Sequence, residues 1–162
     1  MRQKWIAALL AAMMLLSLWG CGSSRNETVS MFDLRTAMLD AAPSLPEMRS
    51  VSDSDTDAAG LFAHLSDMDY GKVERFFLSY SATGLADEIA VIAVKDTADV
   101  KAAADSLRSH LEGRAMLYEQ YKPDQLQRVQ NALVFTREQY AVLIVCEEQN
   151  AVEKAFTDFI SR

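Results

Sequence analysis

The thiols and imidazoles of this chain are few and scattered: Cys21 and Cys146, His64 and His110. Nucleophilic chemistry needs a thiol beside a base, whereas Cys146 lies in a run of Val, Leu and Ile that suits a small buried hydrophobe. Each histidine stands at the edge of a helical apolar stripe, near Leu61 or Leu107, as a partly exposed helix-side imidazole does. No G-x-S-x-G, H-E-x-x-H, paired C-x-x-C or phosphate-cradling loop occurs, and six glycines leave little room for the last. The sequence therefore names no catalytic residue and no cofactor.

Asp53, Asp55 and Asp57 alternate within Asp53-Ser54-Asp55-Thr56-Asp57, the spacing by which carboxylates converge on Ca²⁺ in D-x-D-x-D loops. They are the candidate metal ligands. The remainder of that pattern fails: Ala58 stands where the turn wants glycine, and His64 where a bidentate glutamate closes the shell. A solvated loop whose Asp57 caps the following helix explains the same residues. Tyr118, Tyr121 and Tyr140 also have two uses, lining a ligand groove or packing at the core edge.

Cys21 carries chemistry of another kind. It follows Leu18-Trp19-Gly20 at the end of an apolar run, Ile6 to Leu18, which Arg2 and Lys4 precede. That arrangement is a signal peptide over residues 1–20, with Cys21 as the lipidated first residue of a bacterial lipoprotein. Trp5 to Gly20 spans about 16 residues, short of the roughly 20 a membrane-crossing helix needs, and an A-x-A-like cleavage site is absent. A diacylglycerol thioether on Cys21 brings at least two acyl chains, enough for stable anchoring in the bilayer. The expected location is the extracytoplasmic face of the cell membrane.

Residues 22–30, GSSRNETVS, read as a flexible tether reaching at most about 30 Å. Residues 31–162 are long enough for a single globular domain with a sizeable core. Processing removes two of the 16 basic side chains and leaves 14 against 23 acidic ones, a formal charge of −9. Such a surface excludes nucleic acid and an electrostatic grip on anionic headgroups, so lipid must do the anchoring. With Cys21 acylated, Cys146 has no partner for a disulfide.

The elements that position these residues follow from periodicity. Met31, Leu34, Met38 and Ala42 predict a short helix closed by Pro43 and Pro46. Ser50 to Asp57 reads as a polar, turn-rich stretch, with a second helical piece over Gly60 to Leu65. Residues 31–70 thus form an N-terminal helical and loop portion, and 71–162 a ββαββα core. Its first strand pair is Arg75 to Tyr80 and Glu88 to Lys95, joined around Thr83-Gly84-Leu85. A helix from Thr97 follows, with Val100, Ala104, Leu107, Leu111, Ala115 and Tyr118 inward and Pro123 as its stop. The second pair is Ala132 to Phe135 and Tyr140 to Cys146, and Asn150 with Glu153 forms a capping box for a last helix.

Ile89 to Val94 and Ala141 to Val145 are apolar on both faces, so both faces of the sheet need cover. The expected fold is α+β: a four-stranded, mainly antiparallel sheet with the two C-terminal helices on one face. Met31 to Met68, or a second protein, lies across part of the other.

Two stretches carry a resemblance to a known family. Ala86-Asp87-Glu88-Ile89-Ala90-Val91-Ile92 and Tyr118-Glu119-Gln120-Tyr121-Lys122-Pro123-Asp124-Gln125 are similar to motifs of bacterial lipoproteins grouped as a domain of unknown function, DUF4358. The first opens a strand in that family and the second ends a long helix. A strand pair like Asn131 to Val145 follows, usually turning at Gly-Asn-Tyr. Here the triplet is Glu138-Gln139-Tyr140, which implies a different turn geometry or a longer loop without positive φ. The resemblance covers Leu45 to the end and implies the lipoprotein address and an α/β body, with no activity to transfer.

The functional expectation is a lipid-anchored extracytoplasmic domain that binds or positions a protein or envelope component without catalysis. Its partners are the bilayer, through acylated Cys21, and a protein or a second copy in a homodimer. An envelope small-molecule-binding protein or enzyme with a site assembled from scattered residues is the alternative.

Overall fold

The structure, a computed structural model, describes residues 29–161. The expected signal peptide over residues 1–20, Cys21, and residues 22–28 of the expected tether lie outside the described residues. Among the described residues, ten α-helices and strands follow one another as αβαββααββα: α1 (Met31–Asp40), β1 (Met48–Ser52), α2 (Ala58–Phe62), β2 (Val73–Ser81), β3 (Glu88–Val94), α3 (Val100–Tyr121), α4 (Leu126–Gln130), β4 (Leu133–Arg137), β5 (Tyr140–Val145) and α5 (Gln149–Ile160). The fold class is α+β, and the sheet has five strands in the order β1-β2-β3-β5-β4, every pair antiparallel.

The fifth strand corrects the expected four. Met48-Arg49-Ser50-Val51-Ser52 is polar because β1 is an edge strand, half-exposed along its length, and it reads as a loop by composition. Only its pairing with β2, from Met48 opposite Ser81 to Ser52 opposite Phe77, makes it a strand. Its Ser50 hydroxyl meets that of Ser79 at 2.8 Å.

The placement of the C-terminal helices is also corrected: α3 and α5 lie on opposite faces. One layer packs Phe62, Leu65, Ala103, Ala104, Leu107, Tyr118 and Val129 against Phe76, Ala90, Ile92 and Leu143. The other packs Met31, Leu34, Met38, Val152 and Phe156 against Phe77, Ile89, Val91, Val142 and Ile144. The reason is area. β3 and β5 are buried along both faces, and α1 turns only Met31, Leu34 and Met38 inward, too few to cover the second face alone. α5 completes that layer, its Phe156 ring meeting Phe135 and Tyr140 edge-on at 5.5 and 5.8 Å. The N-terminal portion is divided between the two faces.

Local chemistry fixes the boundaries. Ser30 caps α1 by accepting from Asp33 N. The β2–β3 turn has Gly84 at φ 74°, and the Ser81 hydroxyl accepts from Thr83 N and Leu85 N inside it. The β4–β5 turn does keep a positive φ, 51° at Glu138, so the missing glycine left the left-handed backbone in place with a glutamate to bear it. The capping box of the last helix does not form: α5 begins at Gln149 with Glu148 as its N-cap residue and no side-chain cap bond. Glu148 instead accepts from Ser44 N and Oγ at 3.2 and 2.6 Å, tying the loop after α1 to the start of α5. The Ser44 hydroxyl holds the Glu148 carboxyl below its usual range.

Candidate functional site

The polar groups of the domain converge where β3 begins beneath α3. Glu88, the first residue of β3, is 1% exposed, and a carboxylate there is costly unless paired and hydrogen-bonded. His110, Arg114 and Tyr118 follow at successive steps of four on α3 and so share one row of the helix, directed at that carboxylate and the turn before it. His110 Nε2 meets Glu88 Oε1 at 2.7 Å, and Arg114 Nη1 donates to Oε2. Arg114 Nη2 donates to Ala86 O at 3.1 Å and to the Tyr118 hydroxyl at 3.2 Å, with the guanidinium 5.3 Å from the Tyr118 ring centre. Tyr118 in turn donates to Leu85 O at 2.8 Å, and burial raises its phenol pKa.

Asp87 is equally buried, and Arg128 of α4 donates to its Oδ1. Gln125 Oε1 accepts from Ala86 N at 3.1 Å. The two stretches that carry the family resemblance therefore meet in space: Gln125 accepts from Ala86 N and Tyr118 donates to Leu85 O just before it, with Arg114 on Glu88 and Arg128 on Asp87. Asp87 Oδ2 and Arg114 Nε are buried without a hydrogen bond. The ends of α3 and α4 are thereby fixed over the start of β3, and both oxygens of Glu88 are consumed in doing so. His110 is oriented by a carboxylate, as a general base is, through the bond of its Nε2 to Glu88.

The same helix end also leaves large apolar side chains in water. Met116, Leu117 and Tyr121 are 62%, 54% and 78% exposed, three of the four large hydrophobics so exposed among the described residues. A cleft of about 410 Å³ is lined by Asp124, Gln127, Arg128, Asn131, Cys146 and Glu147. Burial pushes the Cys146 thiol up to about 11, which favours its protonated form at neutral pH.

The residues singled out in the sequence are scattered. Asp53 accepts from Phe76 N at 3.2 Å and from Arg75 Nε at 3.2 Å; Asp55 accepts from Ser52 N at 2.7 Å; Asp57 accepts from Gly60 N at 3.3 Å, capping α2. Each carboxylate is spent on its own backbone contact, and among the described residues no cluster of three His, Cys, Asp or Glu side chains has metal-binding geometry. His64 is exposed beyond α2. Tyr118 and Tyr140 are buried in opposite layers and Tyr121 points to solvent, so the three tyrosines form no common groove. Cys21 lies outside the described residues, none of whose helices is long and apolar enough to cross a membrane. Glu88 and Arg114 were missed as a pair. The signal was available: a glutamate opening an otherwise apolar strand, and His, Arg and Tyr spaced four apart on one helix.

Fold and site define a class: an antiparallel five-stranded sheet between two helical layers, closed at one end by a buried ionic cluster. The chain belongs to the family described as Domain of unknown function (DUF4358), whose model matches residues 50–146, more than half of its length. That span takes in the cluster and the α2–α3–α4 layer and leaves out α1 and α5. No curated protein and no solved structure matches the chain.

Proposed function

We propose that this protein is a bacterial lipoprotein, held at the extracytoplasmic face of the cell membrane by acyl chains on Cys21, whose domain binds or positions a protein of the envelope without catalysing a reaction. The observation that carries the binding role is the division of labour at the end of α3. Arg114, Tyr118 and Gln125 turn inward to fix the backbone, while Met116, Leu117 and Tyr121 are left in water. A rigid element presenting clustered large apolar side chains is the anatomy of a docking surface. The tethering role is supported by the basic tip, the apolar run and Gly20-Cys21 in the sequence.

A second reading, an envelope small-molecule-binding protein, draws on the cleft beside Arg128. Affinity capture from intact membranes separates the two: one stoichiometric protein supports the first, and a co-purified small molecule without a protein supports the second. Labelling with radioactive palmitate tests the anchor, with incorporation expected for the natural chain and none for Cys21→Ser. A membrane-bound, unlabelled chain in both forms contradicts it.

A further inference from the structure

We infer that two copies of this chain join through β4, edge to edge about a two-fold axis at Phe135, so that their sheets form one continuous antiparallel sheet. The inference goes beyond the docking reading above and rests on different residues. β4 pairs only with β5, in a register that runs without a bulge from Leu133 opposite Ile144 to Arg137 opposite Tyr140. Exposed strand edges are ordinarily blunted by proline, charge or a bulge. Leu133-Val134-Phe135-Thr136 has none of these, whereas the other edge, β1, is polar and carries Arg49.

The phase of the hydrogen bonding decides which groups that edge presents. Val94 N donates to Gln139 O beside the Ala93 and Tyr140 pair, so Tyr140 turns its own N–H and C=O away from β3 and toward Arg137. By alternation, Arg137, Phe135 and Leu133 bond to β5, while Val134 and Thr136 direct N–H and C=O outward. Among the described residues nothing meets them; the N–H of Ala132, before them, is taken by Val129 O. A two-fold axis at Phe135 sets Val134 opposite Thr136 of the other copy. Every outward N–H and C=O of both residues is then paired, as in strand addition to a sheet edge.

Charge selects a second copy over a foreign strand. Arg137 ends β4 next to the close of α5, where its Nη2 donates to Ser161 Oγ at 3.4 Å, and no carboxylate pairs with it among the described residues. At the opposite end of β4, Gln149 of α5 donates to Asn131 O at 2.8 Å, so that row of the helix borders the same edge. Glu153 is the next member of the row, one turn on, and has no cation among the described residues. The two-fold axis reverses α5 in the second copy and carries each Arg137 toward the Glu153 end of the other. The interface is therefore charge-complementary to itself, which a strand of arbitrary sequence is not.

The test follows the mass of the full chain in non-ionic detergent over a concentration series, by light scattering corrected for bound detergent. A monomer–dimer equilibrium is expected. Thr136→Pro should abolish it while the domain still melts cooperatively, because the substitution removes an N–H that β5 does not use. Arg137→Glu and Glu153→Arg should each weaken the dimer at least about tenfold, and the two together should restore it. A natural chain that stays monomeric throughout the series overturns the inference. So does a dimer that survives Thr136→Pro, or one in which the double exchange fails to recover what the single changes lose. Hydrogen exchange covers the remaining occupant: protection of the Val134 and Thr136 amides that appears only when another protein is bound assigns the edge to a foreign strand and overturns the inference as well.

Discussion

Glu88 and Arg114 stand 26 residues apart in sequence and meet as an ion pair with the carboxylate fully enclosed between β3 and α3. The pair is a clamp: it sets the end of the long helix against the first residue of the central strand. His110 closes the other carboxylate oxygen, and the turn before the strand is gathered in by the same guanidinium through Ala86 O.

Breaking the clamp at Arg114 leaves the buried Glu88 carboxylate with His110 alone. Arg114→Met is expected to cost about 3–5 kcal/mol in urea unfolding, because Glu88 stays enclosed. The double change Glu88→Leu/Arg114→Met should lose less than the sum of the single changes, since no charge is stranded. Strict additivity in that cycle excludes the clamp.

Glu138 carries the single positive φ found at a non-glycine residue in the described chain. Glu138→Gly relieves a left-handed penalty of about 1–2 kcal/mol and gives part of it back as unfolded-chain entropy. The expected net is a stabilisation of about 0.5–1 kcal/mol, read as a rise in melting temperature. A lower melting temperature contradicts the turn geometry.

Phe156 tests the layer assignment. It is fully buried beneath α5 on the face opposite α3, so Phe156→Ala should cost about 3–5 kcal/mol. The loss is expected even though the residue lies beyond the family-matched span. A cost under about 1 kcal/mol places α5 off the sheet.

Cys146 is raised by burial from 9.0 to about 11, so the folded protein keeps its proton where the unfolded chain releases it. Stability from this group is therefore complete below pH 9 and is lost as pH rises through about 11. With Cys21→Ser removing the other thiol, Cys146 should alkylate slowly at pH 8 when folded and rapidly in denaturant. Cys146→Ala should flatten the alkaline decline in stability, and rapid alkylation of the folded chain is the opposing result.

Most of the sheet was legible because β2, β3 and β5 are written in dense apolar runs and α3 in a long stripe ended by Pro123. The edge strand β1 was not, since its polar residues answer to solvent on one side and pairing alone makes it a strand. The face chosen by α5 was equally hidden: its apolar residues show that it packs, and only the limited cover supplied by α1 shows where. At the site, Tyr118 and Gln125 stood in view as one stretch and Ala86 to Glu88 as another. Their meeting depends on how α3 crosses the sheet, which periodicity does not encode.

The most direct test of the account compares affinity capture from intact membranes by the natural chain and by Leu117→Ser, with equal folded yield confirmed by melting. One stoichiometric protein should accompany the natural chain and be lost from Leu117→Ser. Equal recovery of that protein by both chains, or capture of a small molecule and no protein, contradicts the account.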